Sequence, residues 1–504
     1  MLESILSGFS VVMTFQNILL IIMGVAIGIV FGSIPGLSAT MAVALCLPIT
    51  FALPVIPSMS LLIGLYLGGI SGGLISAILL KIPGTPASIA TTFDGHPMAQ
   101  KGEAGKALSL GIIFSFLGGL FSIFVLIFVS PPLAQIAIRF TPFDYFSVIL
   151  FSLTMMAGLS GKSLVKGLLS GMLGMTFAFI GGAPIDGLPR FTMGIKELEG
   201  GFNLLPTLIG IFAISEILKA GEETKMYKAA TKTVTKVGGL YVSFKEIVSQ
   251  TGNFLRSSVI GTAIGILPGI GGGISNLISY TVAQKQSKYP EKFGTGIKDG
   301  IVASETANNA SIGGAMVPLL SLGIPGDTVT AMLIGALMIQ GISPGPLMFQ
   351  TQGELVYSIF AALLIANVVM LILMLGGLKI FVKLLEIPKE ILLPLIFAVC
   401  IIGAFGVNNR LFDVLTVLIF GVIGYIMQKF DYPLAPIILG FILGPLLEEN
   451  LRRGLMFSGG ELLPFITNPI SAFFLVMTAV SIFLSIKKAM LLGKQGANGI
   501  KRSA

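Results

Sequence analysis

The chain has 504 residues, 54% of them hydrophobic and only 11% charged, with a formal net charge of +8. Soluble domains carry about 25% charged residues, so this composition excludes a soluble protein. Its basic residues lie in loops, where membrane topology places them, so the charge implies no nucleic-acid partner.

Apolar runs such as "GIIFSFLGGLFSIFVLIFV" (Gly111 to Val129) match a hydrocarbon core of roughly 30 Å at about 1.5 Å per residue. The fold class read from this is an all-α polytopic integral membrane protein. No alternating polar and apolar strands point to a β-barrel. The start, "MLESILSGFSVVM", has neither a basic n-region nor a small-residue cleavage site, so no removable signal peptide is expected. Cys46 and Cys400 sit inside apolar runs and imply neither a disulfide framework nor a metal cluster.

In chain order, the predicted spans of the first half are 11–31, 37–53, 59–80, 107–130, 143–160, 163–182 and 203–219. A basic connection, 220–253, follows with Lys225, Lys228, Lys232, Lys236 and Lys245. The second half gives 254–268, 271–284, 301–322, 354–376, 391–406, 411–427, 433–450 and 467–486. Several are too short to cross alone and read as re-entrant hairpins or halves of broken helices, giving about 11 to 15 passes. The division is thus an N-terminal membrane repeat (1–219), a cytoplasmic connection (220–253), a C-terminal membrane repeat (254–486) and a tail (487–504). Lys487, Lys488, Lys494, Lys501 and Arg502 place that tail on the cytoplasmic side.

The halves echo one another. "FGSIPGLSATM" (Phe31 to Met41) is matched by "IGILPGIGGGI" (Ile264 to Ile274), and "GGLISAILLKIPGTPAS" (Gly72 to Ser88) by "GGAMVPLLSLGIPGDTV" (Gly313 to Val329). The loop after the first motif, 52–58, has no basic residue, whereas 94–106 has Lys101, Lys106 and His96. In the second copy 284–298 holds four lysines and 341–353 none. By the positive-inside rule, equivalent loops face opposite sides, so the two structural repeats are expected to be inverted. Arg139, Arg190, Arg452 and Arg453 fit this topology poorly.

Each copy carries two Gly-Pro breaks. A proline inside a membrane helix frees backbone groups that protein, water or ligand must satisfy. In "KIPGTPAS", Thr85 as N-cap and Pro86 as first helical residue start a new half-helix; in "GIPGDTVT", Asp327 or Thr328 does so. Their positive ends suit a carboxylate, and "SIPGLS" and "ILPGIGGG" offer carbonyls to a cation. Kinks and close packing are the plainer reading of any single break. The strongest polar cluster is "SETANNAS" (Ser304 to Ser311), where Glu305 and Asn309 share a helix face. A carboxylate with Asn oxygens suits Na⁺, and a protonatable Glu305 suits H⁺ coupling. The alternatives are a solvated helix start for Glu305 and interhelical hydrogen bonding for Asn308 and Asn309. Asp94 and His96 read as solvated loop residues, and Asp186, Arg190 and Glu197 as an external loop. No nucleophile–base set or nucleotide fingerprint occurs, so no enzyme is expected.

Five blocks, "GSIPGLSATM", "KIPGTPASIATTFDGHPMAQKGEAGKAL", "GILPGIGGGISN", "SETANNASIGGAMVPLLSLGIPGDT" and "QGISPGP", together resemble the large membrane subunit of the bacterial tripartite tricarboxylate transporters. The resemblance implies a secondary transporter importing citrate-like di- or tricarboxylates across the inner membrane, coupled to Na⁺ or H⁺. It further implies a small membrane subunit and a periplasmic solute-binding protein as partners, and no cofactor beyond a coupling Na⁺. An elevator-type motion is compatible with such an architecture. Carried over, substrate contacts fall on Gly84, Thr85, Ser88, Gly326, Asp327 and Thr328, with Ser33, Gly36 and Ser38 on the second side of the pocket and Asn308 and Asn309 as polar groups. Cation ligands fall on Gly269, Gly271, Asn276, Glu305 and Asn309. Asp327 is awkward beside an anion, so capping or cation binding are its other roles. The first copy has Ser71 and Gly72 where the second has its Asn-rich stretch, which leaves room for an asymmetric cation site. The rival function is an ion channel or pore, which also uses broken helices.

Overall fold

A computed structural model of the chain describes residues 2–159, 163–227, 239, 241–269, 271–384 and 389–503. Lys228, Lys232 and Lys236 of the basic connection lie outside the described residues, as do the side chains of Lys225 and of 488–503 in the tail.

The helices of the first half are α1 (Leu2–Val12), α2 (Phe15–Ser33), α3 (Ala39–Phe51), α4 (Val55–Leu80), α5 (Thr91–Met98), α6 (Ala104–Ala137), α7 (Pro142–Leu159), α8 (Leu164–Ala178), α9 (Leu204–Leu208) and α10 (Ser215–Tyr227). A 3₁₀ turn, Pro86–Ser88, precedes α5, and a π turn, Ile209–Ile214, joins α9 to α10. The second half contains α11 (Phe244–Ser249), α12 (Thr251–Ile266), α13 (Gly271–Gln286), α14 (Lys298–Leu322), α15 (Thr328–Ile339), α16 (Met348–Thr351), α17 (Gly353–Leu384), α18 (Lys389–Asn408), α19 (Leu411–Lys429), α20 (Leu434–Phe457), α21 (Leu463–Thr467) and α22 (Pro469–Ser503). A two-stranded ribbon pairs Gly181 with Arg190 and Gly182 with Pro189. Among the described residues, seven helical stretches are long and apolar enough to cross a membrane, and seven further apolar helices have 10–17 residues in the stretch whose side chains are described. The protein is a multi-pass, all-helical membrane protein.

Two differences from the sequence reading matter. Pro86 starts a short 3₁₀ turn rather than a half-helix, and the α-helix itself begins at Thr91. Residues 328–339, absent from the predicted spans, form α15, started by the Asp327 cap that the sequence suggested.

Helices α4 and α14 form the centre. Every residue of α4 from Ser58 to Leu79, and of α14 from Gly300 to Ser321, is buried. For α14 this is a physical necessity, because Glu305, Asn308 and Asn309 would be costly against lipid. Each central helix packs on a partner through small residues. A Cβ on Gly28 of α2 would meet Leu65 O of α4 at 2.5 Å and Gly69 N at 2.7 Å. A Cβ on Gly261 of α12 would meet Ala307 Cα of α14 at 2.7 Å, and one on Gly265 would meet Ser311 Cα at 2.9 Å. No side chain fits at these crossings, so the backbones touch.

These contacts occur at equivalent places. Counting back from Pro35 and Pro268 pairs Gly28 with Gly261 and Gly32 with Gly265. Counting back from Pro83 and Pro325 pairs Leu65 with Ala307, Gly69 with Ser311 and Gly72 with Gly314. Gly28 packs on Leu65 as Gly261 packs on Ala307; Gly32 packs on Gly69 as Gly265 packs on Ser311. Gly84 packs on Gly32 O, and Gly326 on Gly265 O. Counted this way, Tyr66 stands opposite Asn308, where the sequence comparison set Ser71 and Gly72. The same count pairs Lys81, left-handed at φ 60°, with Gly323 at φ 72°, so the first copy holds a lysine where glycine is the unstrained choice.

The arginines that fitted the charge rule poorly are mostly neutralised. Arg190 makes a two-pronged pair with Glu448 at 2.7 and 2.6 Å and donates to Phe179 O at 3.1 Å. Arg452 reaches Glu448 at 2.8 Å and Asp186 at 3.2 Å, and Arg453 reaches Glu449 at 2.6 Å. Arg190→Ala is expected to cost about 1–2 kcal/mol in thermal unfolding, since the pair is half-buried and bidentate. Arg190→Lys should recover less than half of that, because an ammonium cannot form the fork.

Candidate functional site

The four Gly-Pro breaks bring both copies together around the middles of α4 and α14. α2 ends at Ser33, whose Oγ donates to Val30 O at 2.9 Å. The chain turns through Gly36 at φ 90°, and Ser38 Oγ then accepts from Met41 N at 3.1 Å to start α3. In the second copy Gly269 (φ 77°) and Gly271 (φ 60°) make the corresponding turn, and Gly269 N donates to Gly326 O at 2.7 Å. That bond ties the two breaks of the second copy to each other. Gly84 and Gly326 themselves are spent on backbone packing.

At the start of α15, Asp327 Oδ1 accepts from Thr330 N at 2.7 Å and from Thr330 Oγ1 at 2.8 Å, while Asp327 N donates back to Thr330 Oγ1 at 2.8 Å. This reciprocal cap satisfies donors that a helix start leaves open. Asp327 Oδ2 accepts from Tyr66 Oη of α4 at 2.5 Å. Thr328 Oγ1 lies 3.0 Å from Thr40 Oγ1 of α3, and a Cβ on Gly271 would sit 3.2 Å from Asp327 Cβ. The second copy's break is therefore closed by residues of the first.

The first copy's break packs against the second in the same way, but several of its polar atoms have no partner. Thr85 N lies 3.4 Å from Ser88 Oγ, which donates to Thr85 O at 2.9 Å. Asn276 Nδ2 of α13 donates to Ala87 O. Asn308 Oδ1 and the Ala87 methyl come within 2.5 and 3.2 Å of the point that a Cβ on Gly272 would take. Thr85 Oγ1, Asn276 Oδ1 and Asn308 Oδ1 are buried without a hydrogen-bond partner. Asn308 Nδ2 is turned toward the Glu305 carboxyl, outside hydrogen-bond geometry. Unsatisfied polar groups in an interior are rare; others occur elsewhere in the chain, at Ser60, Thr262 and Asn367 among them, but the three oxygens here belong to the broken segment and the helices packed on it.

Glu305 is 0% exposed, which overturns the solvated helix start. Its carboxyl accepts from Thr91 Oγ1 of α5 and, at 3.0 Å, from Ser115 Oγ of α6. Asn309 Oδ1 accepts from Ser71 Oγ at 2.6 Å, and its Nδ2 donates to Glu305 O at 3.2 Å. Asn309 thus links α14 to α4, whereas Asn308, next to it, faces the broken segments. Among the described residues no group of three His, Cys, Asp or Glu side chains could hold a metal ion. Hydroxyl and amide oxygens, with the single carboxyls of Glu305 and Asp327, are what this region offers to a cation.

Asp94 and His96 are not in a solvated loop. Both are buried in α5, with His96 Nδ1 3.0 Å from Ile78 O. Asp94 Oδ1 accepts from the backbone N–H groups of Gly294, Gly296 and Ile297 at 2.9, 2.8 and 3.0 Å, and Oδ2 accepts from Tyr280 Oη at 2.8 Å. One carboxylate of the first half thereby holds a loop of the second. Beside it, a cleft of about 310 Å³ is lined by Lys101, Lys106, Lys292 and Lys298 with Glu103. Lys106 pairs with Glu246 at 2.6 Å, and this contact holds the Glu246 carboxyl below its ordinary range.

Sequence reading missed Tyr66, Thr91 and Ser115. Tyr66 carried a signal, being a tyrosine inside a long apolar run, where its hydroxyl has to find a partner. Thr91 and Ser115 carried none, since hydroxyls in membrane helices commonly bond to their own backbone.

With this geometry in place, comparison with known proteins is informative. Residues 18–439 match the family described as "Tripartite tricarboxylate transporter TctA family". Two proteins of Agrobacterium vitis are similar to the chain. An uncharacterized 52.8 kDa protein of the TAR-I ttuC' 3' region is 35% identical over 479 residues, covering 95% of each chain. An uncharacterized protein of the TAR-II ttuC' 3' region is 40% identical over 226 residues, covering 45% of this chain and 93% of its own. No solved structure matches.

Proposed function

We propose, from the premise that the chain belongs to the tripartite tricarboxylate transporter TctA family, that it is the subunit through which a citrate-like di- or tricarboxylate crosses the inner membrane. A component of a tripartite tricarboxylate transporter is not an enzyme, and the residues above are binding groups rather than catalysts. In this reading a periplasmic solute-binding protein delivers the anion, a small membrane subunit completes the carrier, and Na⁺ or H⁺ drives uptake. The two repeats, 1–219 and 254–486, are inverted about the membrane plane and joined by the basic connection 220–253 on the cytoplasmic side, with the C-terminus there too. Alternating access is then an elevator-type movement of the broken helices and their central partners against the outer ones.

The observation that carries the reading is the set of buried, unpartnered polar groups at a helix break: the Thr85 hydroxyl and the Asn308 amide, which can donate to an anion, and Asn276 Oδ1, an acceptor that suits the coupling cation. A membrane interior tolerates broken backbone and orphaned polar groups where they serve a ligand. A carrier is favoured over a pore because the break at Asp327 is packed and hydrogen-bonded by Tyr66, Thr40 and Gly271.

Counterflow tests the reading. Vesicles holding the full transporter and labelled citrate, malate or succinate should lose label faster when unlabelled anion is added outside; a pore gives no such acceleration. Asn308→Ala and Thr85→Ala, with native expression, are expected to lower uptake affinity about tenfold or more, given about 1.5–3 kcal/mol for a hydrogen bond to a charged group. Unchanged affinity and cation dependence in both would remove these residues from the site. Replacing Na⁺ at fixed pH decides the coupling ion.

A further inference from the structure

The two copies fill one equivalent position in different ways. In the second, the residue after the Gly-Pro break is Asp327, and its carboxyl is held by Tyr66 Oη and by the amide and hydroxyl of Thr330. The register established by the glycine contacts replaces these residues in the first copy by Thr85, Asn308 and Ser88 respectively. Ser88 Oγ repeats the local bonds of Thr330 Oγ1. It donates to Thr85 O at 2.9 Å, as Thr330 Oγ1 lies 2.9 Å from Asp327 O, and each hydroxyl faces the backbone N–H of its cap residue. The surroundings correspond as well. Thr40 touches Thr328 in one copy, and its counterpart Gly273 lies against Pro86 in the other. Ala39 lies against Gly69, and its counterpart Gly272 against Ser311.

What the first copy lacks is the carboxyl group. Threonine replaces the acid, and asparagine replaces the longer tyrosine that reached it. The two polar ends that remain, Thr85 at 4% and Asn308 at 0% exposure, are left without the partners that Asp327 and Tyr66 find in each other. Both can donate to an anion. An amide flip exchanges Asn308 Oδ1 for Nδ2 without changing the shape of the side chain; it turns Oδ1 toward the Glu305 carboxyl, which a protonated Glu305 satisfies by donating. Thr85 Oγ1 carries a free hydroxyl proton.

We propose that a carboxylate of the transported anion takes, in the first copy, the place that the Asp327 carboxyl takes in the second, bound by the Thr85 hydroxyl and the Asn308 amide. This rests on the carboxylate-carrier reading and sharpens it in two ways. It gives each chain one such carboxylate position rather than two, because the protein's own Asp327 already fills the second. It also makes recognition depend on neutral donors, so a negative charge introduced at either wall excludes the substrate.

The test uses the full-length chain in lipid nanodiscs, with citrate, malate and succinate as probes at constant Na⁺ and isothermal titration as the readout. Thr85→Asp builds the second copy's acid into the first, and Asn308→Asp does the same from the opposite wall. Each variant that retains a native elution profile and helical signal is expected to lose affinity for every anion that the native chain binds, by about 100-fold or more. Two walls give two chances of a folded variant. If a folded Thr85→Asp or Asn308→Asp protein binds citrate within about threefold of native, the inference is overturned while a positive counterflow result still stands. Tighter Na⁺ binding with unchanged anion affinity would assign the position to the cation and overturn it equally. If the native chain neither binds these anions nor shows counterflow, the carrier reading falls and takes the inference with it.

Discussion

Asp94→Ala is expected to cost about 3 kcal/mol or more, enough to remove most folded protein from a detergent extract. The substitution strips one acceptor from four donors at once: the amides of Gly294, Gly296 and Ile297, and the Tyr280 hydroxyl. Each donor left buried and unpaired costs about 1–3 kcal/mol. Gly294 lies at the surface, where water can take over its N–H, so the sum is smaller than four full penalties. Total stabilities are about 5–15 kcal/mol, so the loss is a large fraction of the whole. Asp94→Asn keeps an oxygen facing the three amides and should fall in between. Tyr280→Phe removes one bond and should cost about 1 kcal/mol. Thermal unfolding followed by size-exclusion fluorescence gives the order native, Tyr280→Phe, Asp94→Asn, Asp94→Ala. Equal stability of Asp94→Ala and native protein would mean that the loop 294–297 is held by something else.

Asp94 also shows where sequence reading stops. Its partners lie 186 to 203 positions away, and nothing local in "FDGHPM" announces them, so a solvated loop was the reasonable expectation. The breaks were legible for the opposite reason. Gly-Pro chemistry and N-cap preference act within a few residues, which is why Asp327 was expected to cap a helix start and does so, although the start expected at Thr85 and Pro86 is only a 3₁₀ turn. Glu305 was ambiguous because Lys298 and Asp299 stand close enough for the membrane edge to fall on either side of it; packing of α5 and α6 against α14 resolves it as buried. Tyr66 announced in the sequence that its hydroxyl needs a partner, but which partner depends on a register between α4 and α14 that only the contacts of Gly28, Gly72, Gly261 and Gly314 reveal. Local chemistry found where the chain breaks; long-range packing determines which breaks are closed and which are left with unpartnered groups.

Asp327 separates these two levels, and its variants are expected to behave in opposite ways. Asp327→Ala removes the α15 cap and leaves Thr330 N and Oγ1 and the Tyr66 hydroxyl without their acceptor. A lost cap costs about 0.5–2 kcal/mol, and an orphaned buried hydroxyl about 1–3 kcal/mol. The variant should therefore lose about 2–4 kcal/mol of stability, and uptake with it. Asp327→Asn retains the capping oxygen, since asparagine is among the best N-caps, and its amide can donate to Tyr66 Oη. It should unfold within about 1 kcal/mol of native, consistent with the small cost of exchanging one hydrogen-bond partner for another. Tyr66→Phe leaves Asp327 Oδ2 without its donor and should cost about 1.5–3 kcal/mol, the usual range for a bond to a charged group. Uptake by the stable Asp327→Asn protein then decides what the acid is for. Native transport with native cation dependence assigns Asp327 to helix capping alone. Loss of transport at native stability would show that the carboxyl serves the coupling ion, because removing a negative charge cannot weaken an anion by repulsion.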